Sequence, residues 1–296
     1  MSDNEVKMYE ELLELLENKF EDGEIDKANY VELKERYLAK LNQAKLEAKK
    51  NGSVPQISVS GAKTISDTTL STAGSAKISG GEIHKDIKFA GSAKILNDIV
   101  CRSLKSAGSM KSEGSITAHG DVKGSGSFSC GGFLHSMGNV KFSGSAKVGG
   151  EVVVEGKISA SGSFKCGGNA QADQGASFSG SSIIKGNFLS QGTVEASGRM
   201  GVEGNLVGAN VFINRHVLNL KFKRTKRSVI EGIVFATEEV DISNTVVELD
   251  VKGKNVTIGA FSEVKGTVFY VDRIDIHKKA KLAHDPVQIQ ENQLKL

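Results

Sequence analysis

Residues 143–158 read SGSAKVGGEVVVEGKI, and the tetrad GSAK near the start of this stretch returns in similar form along most of the chain. The copies open at Gly74, Gly91, Gly108, Gly126, Gly144, Gly162, Gly180 and Gly198. Successive copies lie 17 or 18 residues apart. Eight copies at a nearly constant period indicate a repeat protein whose units stack on one another.

Each repeat contains apolar residues at alternate positions, interrupted by glycine, serine or asparagine every five or six residues. In the first repeat these apolar positions are Ala76, Ile78, Ile83 and Ile87. Alternation of this kind predicts three short strands per repeat, each paired with its equivalent in the next coil at about 4.8 Å. The sequence therefore predicts a mainly β fold, a right-handed triangular parallel β-helix with about 18 residues per coil.

Charge and glycine content divide the chain near residue 50. Residues 1–50 hold 9 basic and 13 acidic residues and a single glycine, whereas the remainder is basic, and the whole chain has a net charge of +3. The first segment has apolar residues at helical spacing on either side of Gly23: Val6, Tyr9, Leu13, Leu16 and Phe20, then Tyr30, Leu33, Tyr37, Leu41 and Ala44. This pattern predicts an α-helical hairpin that precedes the β-helix.

Residues 22–38, DGEIDKANYVELKERYL, resemble the short helical module called SHOCT. Two short helices bury little apolar surface by themselves, so we expect the hairpin to self-associate or to dock on another surface. The predicted organisation is a helical hairpin at 1–50, a linker and the start of the β-helix at 51–70, the β-helix at 71–283 and a C-terminal tail at 284–296.

No arrangement of residues favours catalysis. The six histidines share no position in the repeat, and no Ser-His-Asp set, carboxylate pair or metal-ligand spacing is visible, so we expect no enzyme activity, cofactor or metal. Cys101, Cys130 and Cys166 are expected to be small core residues, since Cys130 and Cys166 share one register two coils apart. Without a signal peptide or long apolar span, a cytoplasmic location is expected, free or peripheral to the membrane.

The repeats SGSAKVGGEVVVEGKI and AGSAKILNDI (residues 90–99) resemble those of the bactofilin family of polymer-forming cytoskeletal proteins. The stretch VKGKNVTIGAFSEVKGTVFYVDRIDIHKKAKL at residues 251–282 is also similar to the end of such proteins. The resemblance implies a scaffold that assembles end to end with itself, without nucleotide or metal, near the inner surface of the membrane. It implies no small-molecule substrate.

Two features of the repeat array are candidates for intermolecular contact. Ile274, Ile276 and Leu282 belong to the final recognisable coil, so we expect them to end the apolar columns at an open polymerisation surface. Three residues after the corner glycines, five lysines point outward and form a basic edge: Lys77, Lys94, Lys111, Lys147 and Lys165. This edge serves either to keep one face soluble or to hold an acidic lipid or nucleic acid.

A second basic cluster is expected in a loop where the period is interrupted: Lys221, Lys223, Arg224, Lys226 and Arg227. The acidic N-terminal segment of a neighbouring molecule and a free polyanion are both suitable partners for it. The function expected from the sequence is a self-assembling, filament-forming β-helix scaffold. The alternatives are a β-helix binding module that holds a polyanion, a monomeric rod with capped ends, and a surface adhesin.

Overall fold

The structure, a computed structural model, describes residues 12–14, 16–17, 34, 37–38, 40, 55–215 and 226–296. The chain forms two compact units, Met1–Val54 and Pro55–Leu296. The boundary between them lies close to the change in composition near residue 50.

The described residues of the first unit are all helical. Leu16 is buried and Leu13 and Tyr37 are half-buried, as expected for members of the apolar stripes. Lys34 Nζ lies 2.7 Å from Glu17 Oε1, which joins one segment of the predicted hairpin to the other. The remaining stripe residues lie outside the described residues, so the hairpin stays a prediction.

The second unit is a parallel β-solenoid of about 12 turns with about 18 residues per turn, which confirms the predicted mainly β, parallel β-helical class and its period. Its first four strands are long because they run through a corner or a bulge. They are β1 (Ile57–Ile65), β2 (Thr69–Ile78), β3 (Gly81–Ile95) and β4 (Ile99–Ser106).

The central coils each contribute three strands of two to four residues. These are β5 (Ser109–Ser112), β6 (Ile116–Ala118), β7 (Val122–Gly124), β8 (Ser127–Cys130), β9 (Leu134–Ser136), β10 (Val140–Phe142), β11 (Ser145–Val148), β12 (Val152–Val154), β13 (Ile158–Ala160), β14 (Ser163–Cys166), β15 (Ala170–Ala172), β16 (Ala176–Phe178), β17 (Ser181–Ile184), β18 (Phe188–Leu189), β19 (Thr193–Ala196) and β20 (Met200–Val202).

The last coils again contain longer strands. They are β21 (Leu206–Ile213), β22 (Ser228–Ile230), β23 (Val234–Ile242), β24 (Thr245–Val247), β25 (Val251–Ile258), β26 (Glu263–Val264), β27 (Val268–Ile276), β28 (Lys281–Leu282) and β29 (Val287–Gln288). A single 3-10 turn follows at Glu291–Gln293.

From β5 to β20, each strand pairs in parallel with its equivalent one coil later, without a shift in register. Residues two and four after the corner glycine are therefore stacked inward, and residues three after it are stacked outward. Lys147, for example, pairs with Ser129 in one neighbouring strand and Lys165 in the other. One continuous hydrophobic core extends from Leu70 to Val268.

The corner glycines are required because a side chain there would meet the backbone of the preceding coil. A Cβ atom built on Gly144 would lie 2.1 Å from the carbonyl oxygen of Gly126, and one on Gly162 would lie 2.1 Å from that of Gly144. The same contact recurs along the column up to Gly198. Any larger residue has to push two backbones apart, so the spacing of the coils explains the recurring glycine.

We expect Gly144→Ala to destabilise the protein by about 2–3 kcal/mol, because the added methyl group meets backbone that cannot rotate away. Gly201→Ala is the matched control, since a Cβ there meets only the Ser182 carbonyl oxygen at 3.9 Å. That variant should stay within about 0.5 kcal/mol of wild type. Thermal unfolding followed by circular dichroism measures both, and equal stability of the two variants would contradict this explanation.

The core combines one large and one small side chain across the corner in each central coil. Phe142 is followed by Ala146 in one coil, whereas Ala160 precedes Phe164 in the next. The large residues thereby alternate between two faces, and their rings form a ring stack from Phe128 to Phe178, in which neighbours are tilted or parallel at centroid distances of 4.7–6.2 Å. This alternation fills the narrow interior evenly, because each large residue lies beside a small one of the same coil.

Phe164→Ala should cost about 3–5 kcal/mol, because it leaves two small residues in one coil and a cavity between neighbouring rings. Phe133→Ala is the control, since Phe133 is 43% exposed. It should change stability by less than about 0.5 kcal/mol. Chemical denaturation of the two variants compares them directly; similar losses would show that the ring stack contributes nothing specific.

The other corners are held by side chains that bond to the backbone of the next coil. Asn169 Oδ1 accepts the Asn187 N–H at 2.9 Å, and Asn187 Oδ1 accepts the Asn205 N–H at 2.8 Å. Asn205 Oδ1 continues the series by accepting the Ile233 N–H at 2.9 Å. These asparagines satisfy amide donors that the turn leaves without a strand partner.

All three cysteines are free and buried, which confirms their expected role as core residues. Val148 separates Cys130 from Cys166 in one column, as the period predicted. Cys130 Sγ donates to the carbonyl oxygens of Gly114 and Phe133 at 3.3 and 3.2 Å. Burial raises the pKa of the Cys101 thiol to about 12 and that of Cys130 to about 11.

The folded protein should therefore resist alkylation by iodoacetamide at neutral pH, because the reactive thiolate is scarce and shielded. All three thiols should react once the chain is unfolded in denaturant. Mass spectrometry counts the adducts, and rapid labelling of Cys130 or Cys166 in the folded state would contradict the described burial.

Candidate assembly end and basic faces

The C-terminal end of the solenoid leaves two of its three faces open. Ile276 is 41% exposed, whereas Ile258, its partner one coil earlier, is fully buried. Ile274 and Leu282 are half-buried against the core. Their partners one coil earlier, Val256 and Val264, are buried. The three residues predicted from the sequence thus lie together where these apolar columns end.

The third face of this end is covered by residues 284–296. β29 pairs with β27 through Phe269 and Tyr270, and the Ile289 N–H donates to the Tyr270 carbonyl oxygen at 2.8 Å. Lys254 Nζ lies 3.2 Å from Glu291 Oε1. The segment expected to be a tail therefore forms a partial cap, and the solenoid extends beyond residue 283.

The N-terminal end of the solenoid is formed by an antiparallel strand. β1 runs antiparallel to β2, from Ile57 opposite Ile78 to Ile65 opposite Leu70. The segment expected to be a linker and the start of the β-helix thus contributes a reversed strand. Ile57 and Val59 pack against the core, while Ile65 is 53% exposed. The outer edge of β1 pairs with no strand among the residues that the structure describes.

The basic edge predicted from the sequence forms a row of exposed side chains on the face that follows the corner glycine. Lys77, Lys94 and Lys111 occupy consecutive coils, and Lys147 and Lys165 follow after Ser129. All five lysines are exposed.

A second row of lysines, which the sequence reasoning missed, lies on the face that precedes the corner glycine. Lys88, Lys105, Lys123 and Lys141 are paired in register through four consecutive coils, and all are exposed. The spacing of the sequence could have revealed this row. Each of its lysines precedes a corner glycine by three residues, just as each lysine of the first row follows one by three.

The few carboxylates beside these rows are engaged in local ion pairs. Lys94 lies 2.8 Å from Glu113 and Lys123 lies 2.7 Å from Asp121, and each lysine lowers the pKa of its partner. Asp86 is bound by the Arg102 guanidinium, whose hydrogen bonds hold the pKa of this carboxyl group at about 2. The acids therefore stay ionised at neutral pH but leave most of the lysine charge uncompensated.

The predicted basic loop is only partly described. Lys221, Lys223 and Arg224 lie outside the described residues, while Lys226 is exposed. Arg227 is a structural residue, since its Nη1 lies 3.0 Å from Glu263 Oε2 and its Nη2 donates to the Phe261 carbonyl oxygen at 2.8 Å. Arg227 thereby ties its own coil to the coil that contains β26, two turns later.

Within the described part of the chain, no group of three or more histidine, cysteine, aspartate or glutamate residues is arranged to hold a metal ion. No described helix is both long and apolar enough to cross a membrane. Searches for similar proteins found no matching family model, curated protein or solved structure. The relation to bactofilins therefore remains a resemblance in sequence pattern.

Proposed function

We propose that this protein is a non-enzymatic scaffold whose β-solenoids join end to end into filaments, without nucleotide or metal. The observation that carries the proposal is the open C-terminal end. Its apolar columns end at Ile274, Ile276 and Leu282, which no further coil covers in the described chain, whereas the same columns are buried one coil earlier.

The energetics of such a contact favour assembly. Covering the two open faces removes about 400 Å² of apolar surface from water, a gross gain of about 10 kcal/mol. Association costs several kcal/mol of rigid-body freedom, which leaves a moderate affinity. Because the same contact repeats along one axis, a moderate affinity is sufficient for long filaments at micromolar concentration.

Strand edges provide directionality as well as affinity. β27 beyond Tyr270 and the outer edge of β28 have no further strand partner in the described chain, so their amide and carbonyl groups are available to a second molecule. Exposed edges of this kind pair readily with other chains unless they are protected. The partial cap on the third face restricts strand pairing with a second molecule to the other two faces.

The proposal also includes the handedness and cross-section of the coil and the helical hairpin that the sequence predicts. The coil is right-handed and triangular, and the N-terminal segment is a SHOCT-like helical hairpin that associates with other copies through its apolar stripes. The bactofilin resemblance and the three free cysteines support a cytoplasmic scaffold, which the resemblance places near the membrane.

The test is Ile276→Arg, which places an unpaired charge in the proposed contact at a cost of several kcal/mol. Wild type should form filaments in the presence of a chelator and without nucleotide, whereas the variant should give only short species. Negative-stain electron microscopy and sedimentation velocity measure the difference. Circular dichroism should report the same β structure for both, since the change is confined to one terminal coil.

Leu189→Arg is the matched control, because Leu189 is 39% exposed but lies in the middle of the solenoid. This variant should polymerise like wild type. Wild type that stays monomeric at high concentration would overturn the proposed function, and normal filaments from Ile276→Arg would show that this end is not the contact.

A further inference from the structure

The two lysine rows together form one basic surface along the solenoid. Row one comprises Lys77, Lys94, Lys111, Lys147 and Lys165, and row two comprises Lys88, Lys105, Lys123 and Lys141. Between them runs the column of corner glycines from Gly74 to Gly162, each followed by serine. We call the two rows and this ridge the lysine track.

The charges of the track are concentrated in one direction around the axis. Over the same coils, the outward residues of the third face are Glu82, Val100, Thr117, His135, Val153 and Gln171, none of which is lysine. Charge that served only to keep the rod soluble would be distributed over all faces with both signs. Instead, lysines stack about 4.8 Å apart, where each fixed pair repels by about 1 kcal/mol in water.

Most of this charge has no ion-pair partner among the residues that the structure describes. Only Lys94 and Lys123 form ion pairs within the described chain, which leaves seven of the nine lysines available. The track spans five coil steps, about 24 Å, so it carries roughly one available positive charge per 3.4 Å. That density is close to one phosphate per 3.4 Å in each strand of duplex DNA.

The shape of the track favours a linear polyanion over a membrane. The rows lie on adjacent faces of the coil, so a planar surface cannot lie flat against both. The ridge carries no apolar anchor; its exposed side chains include Ser75, Ser92, Ser109, Ser127 and Ser145. Serine hydroxyls and lysine ammonium groups are common donors to phosphate oxygens, whereas the absence of aromatic residues from both rows excludes base stacking there.

We propose that the lysine track binds the phosphate backbone of nucleic acid without regard to sequence. The lysine side chains extend past the small ridge from both sides, and the serine hydroxyls between them contact the phosphates. Since the track runs from β2 to β14, in the N-terminal half of the solenoid, and Ile276 lies at the C-terminal end, binding does not require the proposed assembly contact.

Fluorescence anisotropy with a labelled duplex of about 20 base pairs tests this proposal. Binding by wild type should weaken steeply with salt, with a slope of log K against log salt of about −5 to −6. Lys105→Gln with Lys141→Gln should reduce the slope by about 2 and the affinity at low salt at least tenfold. Lys105→Arg with Lys141→Arg should restore both.

Lys185→Gln with Lys278→Gln is the matched control, since it removes the same charge from exposed sites off the track. This variant should bind like wild type. Equal losses in the two glutamine variants would overturn the proposal, as would loss on Lys221→Gln with Lys223→Gln but not on the track variant. Binding to phosphatidylserine vesicles or polyglutamate, with no binding to the duplex, would also overturn it.

Discussion

The close contact between stacked corner glycines is the constraint on which the rest of this molecule depends. With the carbonyl oxygen of Gly126 only 2.1 Å from where a Cβ of Gly144 would lie, adjacent coils can meet at this corner only if both lack a side chain. That contact keeps the coils in register, and constant register places every inward residue over its equivalent. The core columns, the ring stack and the lysine rows are all consequences of it.

Packing inside the columns follows from the narrow interior. A coil with room for one phenylalanine beside the corner cannot hold two, which explains why Phe142 accompanies Ala146 and Ala160 accompanies Phe164. Inward polar residues are tolerated where the space is already filled: Ser182, between Phe164 and Met200, is fully buried, and its hydroxyl has no hydrogen-bond partner in the described chain. The central coils therefore tolerate an unpaired buried hydroxyl group where a small side chain is needed to keep the interior evenly packed.

Stacking of identical units also separates the surfaces by function. Each outward position of the repeat recurs in every coil, so the same type of residue at that position forms a row along the axis. The repeat stops at the two ends of the solenoid. One end is formed by a reversed strand at Ile57–Ile65, whose outer edge has no partner in the described chain, and the other leaves Ile276 exposed. Assembly and polyanion binding, as proposed above, use different parts of the rod and do not compete for the same residues.

The sequence by itself determined the period, the three strands per coil, the inward and outward positions, and the burial of Cys130 and Cys166, because each depends only on spacing along a regular backbone. The same spacing also predicts the second lysine row, from Lys88 to Lys141. Only the tertiary structure decided that β1 is antiparallel, that Val287–Gln288 returns to cover one face, and that Arg227 binds Glu263. These features depend on contacts between segments that break the repeat, and where the period ends, spacing carries no information about which edge a strand will join.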